Sequence, residues 1–185
     1  MIDDILEFNK QFVENKGYEK FITSKYPEKK LAILSCMDTR LVELLPASLG
    51  LKNGDVKLIK NAGGVVMHPF GSVMRSLLVA VLELEVSEIM VIGHTDCGIQ
   101  HLDADRMIER LKERNVPMDH IEVLKYSGVN FNTWLCGFET VENSVAQTVE
   151  TIENHPLMPK DVVVKGYVMD SITGELKAIN PKEFL

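Results

Sequence analysis

The chain has 185 residues, a formal net charge of -7 and 45% hydrophobic residues. That size predicts one domain over 1–185 with a sizeable core, and the composition is that of an ordinary globular protein. An acidic balance without any run of Lys or Arg argues against nucleic acid as a partner, and no apolar run approaches the ~18 residues of a membrane span.

Met1-Ile2-Asp3-Asp4 puts acids where a secretory leader carries basic residues, so no such leader is expected. Cysteines at 36, 97 and 136 do not resemble a disulfide framework. They predict a cytoplasmic protein, in a reducing compartment where free thiols survive.

Ile2, Ile5, Leu6, Phe8, Phe12 and Val13 fall on one helical stripe, which predicts a helix over 2–13 within a helical N-terminal arm over 1–25. Leu31-Ala32-Ile33-Leu34-Ser35 is apolar on both faces and reads as a buried strand ending at Cys36. Residues 41–49 are expected to be helical despite Pro46. Asn53-Gly54-Asp55 is a turn signal before a second strand over 56–60, and Asn61-Ala62-Gly63-Gly64 follows it. Ser72 is expected to cap a helix over 73–85, and Ile89-Met90-Val91-Ile92 is a third strand leading into Gly93-His94.

Asp103 can cap a helix holding Met107, Ile108 and Leu111, and the stretch 116–138 is mixed. Cys136 is expected in an apolar patch between Trp134 and Phe138. A last helix is predicted over 141–154, then a strand over 162–169. Ser171-Ile172-Thr173-Gly174 turns the chain into an antiparallel edge strand at 176–179. The expected class is α/β, with a mostly parallel sheet of order 2-1-3-4, an antiparallel edge strand and flanking helices.

Chemistry-bearing residues follow the first and third strands. Cys36-Met37-Asp38-Thr39-Arg40 closes one, and His94-Thr95-Asp96-Cys97-Gly98 closes the other. In a parallel sheet both clusters reach the same edge, at the switch point where ligands bind in open α/β sheets. Two thiols and an imidazole are a plausible three-ligand zinc set that leaves one tetrahedral position open. A single Cys or His is more often a buried hydrophobe or a hydrogen-bonded side chain, so the combination carries the reading. Asp38 and Arg40 fit either a functional pair beside that position or a loop-bracing ion pair. Asp96 reads as a loop brace, and His68, His101, His120 and His155 read mostly as surface histidines.

Cys-x-Asp-x-Arg after the first strand, Asn-Ala-Gly after the second and Gly-His-x-x-Cys-Gly after the third resemble the β-class carbonic anhydrases over about residues 31–100. The resemblance implies one zinc per chain held by Cys36, His94 and Cys97, with Asp38 and Arg40 as the catalytic dyad. It implies reversible hydration of CO2 to bicarbonate by a zinc-bound hydroxide, and a homodimer or higher homo-oligomer. Ala62, Gly63, Gly64, Val65 and Val66 are candidates to line the substrate pocket. The region before the first strand, Tyr26-Pro27-Glu28-Lys29-Lys30, lacks the Gln that some members carry there. Two other readings stay open at this point. One is a related zinc hydrolase acting on carbonyl sulfide or carbon disulfide; the other is a silent zinc protein whose site Asp38 closes.

Overall fold

The computed structural model of the chain describes residues 1–184. Five strands form one sheet: β1 (Leu31–Cys36), β2 (Val56–Asn61), β3 (Glu88–His94), β4 (Val163–Met169) and β5 (Leu176–Ile179). Their order is β2-β1-β3-β4-β5, parallel except for antiparallel β5. The expected α/β class, strand order and antiparallel edge are all present.

The described residues also form seven α-helices: α1 (Ile2–Glu14), α2 (Leu41–Ser48), α3 (Ser72–Leu84), α4 (Ala104–Glu113), α5 (Met118–Tyr126), α6 (Phe131–Trp134) and α7 (Val141–Glu153). The core lies between the sheet and helices α2, α3 and α7. Ile33, Leu34, Leu41, Leu45, Met74, Leu77, Ile92 and Ile152 are inaccessible to solvent. Each such side chain contributes about 1.5–3 kcal/mol relative to exposure. Burial of Leu41 and Leu45 carries α2 through Pro46, whose missing N–H removes only one bond from a two-turn helix.

Helix α7 packs across β3 and β4. It approaches so closely that a Cβ on Gly93 would lie 2.6 Å from Val141 and one on Gly166 would lie 2.6 Å from Val145. Asp103 caps α4 as expected, its carboxylate accepting from Arg106 N–H at 2.8 Å. At α3 the expectation is corrected. Gly71 holds the cap position in an extended conformation and Ser72 is the first helical residue, with no side-chain cap bond. Helix α1 forms where its stripe predicts, yet none of its residues is buried. Among the described residues no helix is long and apolar enough to cross a membrane.

Candidate metal centre

β1 and β3 are neighbours, so their carboxyl ends deliver Cys36, His94 and Cys97 to one place. All three are buried, and one ligand atom from each lies within 4.8 Å of the others. The Cys36 and Cys97 sulfurs are 3.9 Å apart. Two thiolates at the usual zinc–sulfur distance on a tetrahedral ion are about 3.8 Å apart, so the pair already has the span zinc requires.

His94 is oriented for the same task. Its Nδ1 lies 2.9 Å from the Thr95 carbonyl, which fixes Nδ1 as the protonated nitrogen of the neutral ring. Nε2 is left with a free lone pair, buried and without any hydrogen-bond partner. An orphaned polar atom at such a site calls for a missing partner, and a borderline-soft cation satisfies an imidazole and two sulfurs together. The residues present therefore fit zinc.

Electrostatics agree with this assignment. Hydrogen bonding from the Cys97 thiol, together with His94 alongside, outweighs burial and lowers the Cys36 pKa to about 4. Cys97 is pushed up in turn, because it shares its proton with Cys36 and is buried. Burial opposes a charge on His94, but the Cys36 sulfur and the Thr95 carbonyl prevail and raise its pKa. A divalent cation would resolve this crowding, with both sulfurs as thiolates and the imidazole neutral.

Asp38 and Arg40 form a two-pronged pair. Arg40 Nη2 donates to Asp38 Oδ2 at 2.9 Å and Nε donates to Oδ1 at 3.0 Å, while the Arg40 backbone N–H reaches Oδ1 at 2.9 Å. These bonds lower the Asp38 pKa to about 2. Asp38 Oδ2 is 3.9 Å from His94 Nε2, so the carboxylate borders the cluster while the guanidinium grips it. Arg40 is itself held from the far side by Asp96, through the carboxylate at 2.8 Å and the carbonyl at 2.7 Å. The brace expected at Asp96 is thus an ion pair that ties the two clusters together.

The turn after β2 passes directly under the site. Gly64 has φ +68°, and a Cβ there would sit 2.9 Å from the Cys36 backbone nitrogen. Gly63 and Gly64 are buried, Val65 and Val66 half-buried, and Ala62 exposed.

The family description "Carbonic anhydrase" matches residues 31–176. The chain belongs to the β-class carbonic anhydrases. Among curated relatives of this family member, Bacillus subtilis "Putative carbonic anhydrase YtiB" is 56% identical, covering 97% of this chain and 96% of its own. The crystal structure of β-carbonic anhydrase isoform I from Trichomonas vaginalis superposes with a TM-score of 0.87 at 29% identity, covering 97% of each chain. A "Carbon disulfide hydrolase" of Acidithiobacillus thiooxidans is a more distant relative, 29% identical over 80% of this chain and 76% of its own.

For this carbonic anhydrase homologue, reading the sequence missed Lys60. Its ammonium donates to the carbonyls of Cys36 at 3.3 Å and Leu41 at 3.2 Å, and so spans the loop that carries Asp38 and Arg40. Burial lowers its pKa, against the pull of the Cys36 and Asp38 charges. β2 also carries Lys57, so nothing local in the sequence singled out Lys60. One expectation fails away from the site. Cys136 is exposed, its thiol bonded to the Thr133 carbonyl at 3.3 Å. The histidines are mostly at the surface as expected: His68, His101 and His120 are exposed, while His155 is buried and packs against Phe70 with ring centroids 5.1 Å apart.

Proposed function

We propose that this chain catalyses the reversible hydration of CO2 to bicarbonate, with one zinc held by Cys36, His94 and Cys97. The observation that carries the reading is a buried Cys-His-Cys cluster beside a carboxylate that Arg40 keeps in its fork. When bound, zinc supplies a Lewis acid that acidifies water for attack on CO2, less strongly than a zinc held by three neutral imidazoles because two thiolates cancel its charge. Turnover therefore rises into alkaline pH.

The chain's own residues do the rest. A carboxyl group with a pKa of about 2 is a poor base near neutral pH, so Asp38 accepts a hydrogen bond from the attacking water and orients it. Arg40 keeps both Asp38 oxygens engaged, and Asp96 keeps Arg40 engaged. This grip supports a site that Asp38 leaves open over one that it closes. Gly64 runs against the Cys36 backbone, and with Ala62, Gly63, Val65 and Val66 it is proposed to line a small pocket of little polarity. That suits an apolar triatomic substrate that needs no charged anchor.

The relationship to carbon disulfide hydrolases supports a second reading, action on a sulfur analogue of CO2. The closer similarity to YtiB supports CO2. Stopped-flow CO2 hydration on zinc-loaded protein tests the proposal. A rate that rises with pH and falls about 100-fold in Asp38→Ala supports it. No CO2 turnover at any pH, with carbon disulfide consumed, transfers the role to the second reading.

The chain is also proposed to act as a homodimer or a multiple of one. Helix α1 exposes Ile2, Ile5, Leu6, Phe8 and Val13, an apolar stripe that a second copy would cover. Light scattering should give at least two chains per particle, and Phe8→Asp should shift the population toward monomer. A wild-type monomer would remove the dimer from the proposal.

A further inference from the structure

Thr95 makes bonds that the proposed reaction does not use. Its carbonyl accepts from His94 Nδ1 at 2.9 Å. Its N–H donates to the Met169 carbonyl at the end of β4, also at 2.9 Å. Its hydroxyl oxygen accepts from the Ser171 N–H at 3.0 Å and lies 3.1 Å from the Ser171 hydroxyl. Ser171 is 76 positions further along the chain, in the turn between β4 and β5, and is buried.

Thr95, whose carbonyl orients the imidazole, is therefore gripped from the neighbouring strand and the turn that follows it. The other side of the same loop is held as well. Asp96 has φ +54°, in the left-handed region that most side-chain-bearing residues avoid and that Asp adopts more readily than most. Arg40 holds Asp96 on that side, and Thr95 with Ser171 hold the loop on the other.

We infer that Thr95 and Ser171 are a positioning pair for the metal centre, acting through the Thr95 carbonyl on His94. With the Thr95 peptide fixed, the carbonyl holds the Nδ1 proton and the ring presents Nε2 to the space between Cys36 and Cys97. Without the hydroxyl contacts the peptide can rotate, Nδ1 loses its acceptor, and the ring samples other orientations. Neither residue touches the reacting atoms. The inference rests on the ligand assignment proposed above.

The test uses the full-length protein loaded with zinc or cobalt(II). Wild type is measured first, for zinc affinity by competition with a chromophoric chelator and for the thiolate-to-cobalt charge-transfer and ligand-field bands. Thr95→Val keeps the side-chain shape and the carbonyl but removes the hydroxyl. It should weaken zinc binding about tenfold or more and alter the ligand-field bands. Thr95→Ser should restore both. Ser171→Ala keeps its N–H donor, folds without a large change in volume, and should shift both readouts the same way by less. Val149→Ala on α7 serves as a destabilised control and should leave both readouts unchanged.

Wild-type affinity and spectra in both Thr95→Val and Ser171→Ala would overturn the inference while leaving the ligand assignment standing. So would an equal loss of zinc in Val149→Ala, since general destabilisation would then account for it. A wild-type cobalt spectrum without thiolate bands would overturn the ligand assignment and this pairing with it.

Discussion

Residues 31–100 mix strands with helices, residues 103–138 are mainly helical, and the two stretches differ in anchorage. In the first, every loop that carries a candidate ligand leaves a strand end and is bonded back to the sheet. Met37 N–H reaches the Asn61 carbonyl at 2.9 Å, Thr95 N–H reaches Met169 at 2.9 Å, and Lys60 spans Cys36 and Leu41. In the second, α4, α5 and α6 bury one residue each: Ala104, Ile121 and Phe131. Val123, Leu124, Tyr126 and Trp134 stand exposed. This excursion is closed at its base, where His101 N–H meets the Phe138 carbonyl at 3.0 Å and Gly137 N–H meets Leu102 at 2.9 Å. Demanding geometry therefore sits where the backbone is over-determined, and the loosely buried segment is free of it.

Removing a ligand breaks that contrast most strongly. Cys36→Ser or His94→Ala should abolish stoichiometric zinc, read by elemental analysis. CO2 turnover should fall by more than about 100-fold, beyond what loss of a supporting group costs. The zinc-dependent rise in melting temperature should also vanish, because metal binding and folding are coupled. Full zinc occupancy in both variants would end the ligand assignment.

Phe131→Ala sharpens the contrast from the other side. Phe131 is buried and meets the Trp134 ring with centroids 6.0 Å apart. Its truncation should destabilise the 103–138 excursion by about 3–5 kcal/mol, read as faster proteolysis there and faster amide exchange. Zinc affinity should stay at the wild-type value. A parallel loss of zinc would mean that the two regions fold as one cooperative unit.

The legibility of the sequence follows the same division. β1 to β3 carried their own signals, since apolar runs, turn residues and strand-end motifs coincide. That is why the meeting of Cys36, His94 and Cys97 could be inferred across 58 positions. The stripe of α1 was legible as a helix, but periodicity does not say what covers it. Lys60 and the Thr95–Ser171 contact were not legible, because their partners are set by strand register and not by local spacing. The exposure of Cys136 and the burial of His155 were not legible for a related reason. Burial of a single residue near a helix end depends on which distant loop, here the one bearing Phe70, folds over it.

The smallest expected effect lies at the turn that carries Ser171. The Asp170 carboxylate accepts from Thr173 N–H at 2.7 Å and Ile172 N–H at 2.9 Å, and these bonds lower its pKa below the ordinary 3.8. A carboxylate with a depressed folded-state pKa stabilises the fold fully above its unfolded value and loses that contribution as pH falls through the folded one. The window therefore opens just below pH 3.8 and extends into stronger acid. Asp170→Asn retains an acceptor oxygen but not the charge. In zinc-free protein, chemical denaturation should find the variant slightly less stable than wild type near neutral pH. The gap should close as the pH drops through that window. A gap that persists unchanged into strong acid would show that the turn depends on the shape of residue 170 and not on its charge. The sheet edge that holds Thr95 would then be set by backbone geometry alone.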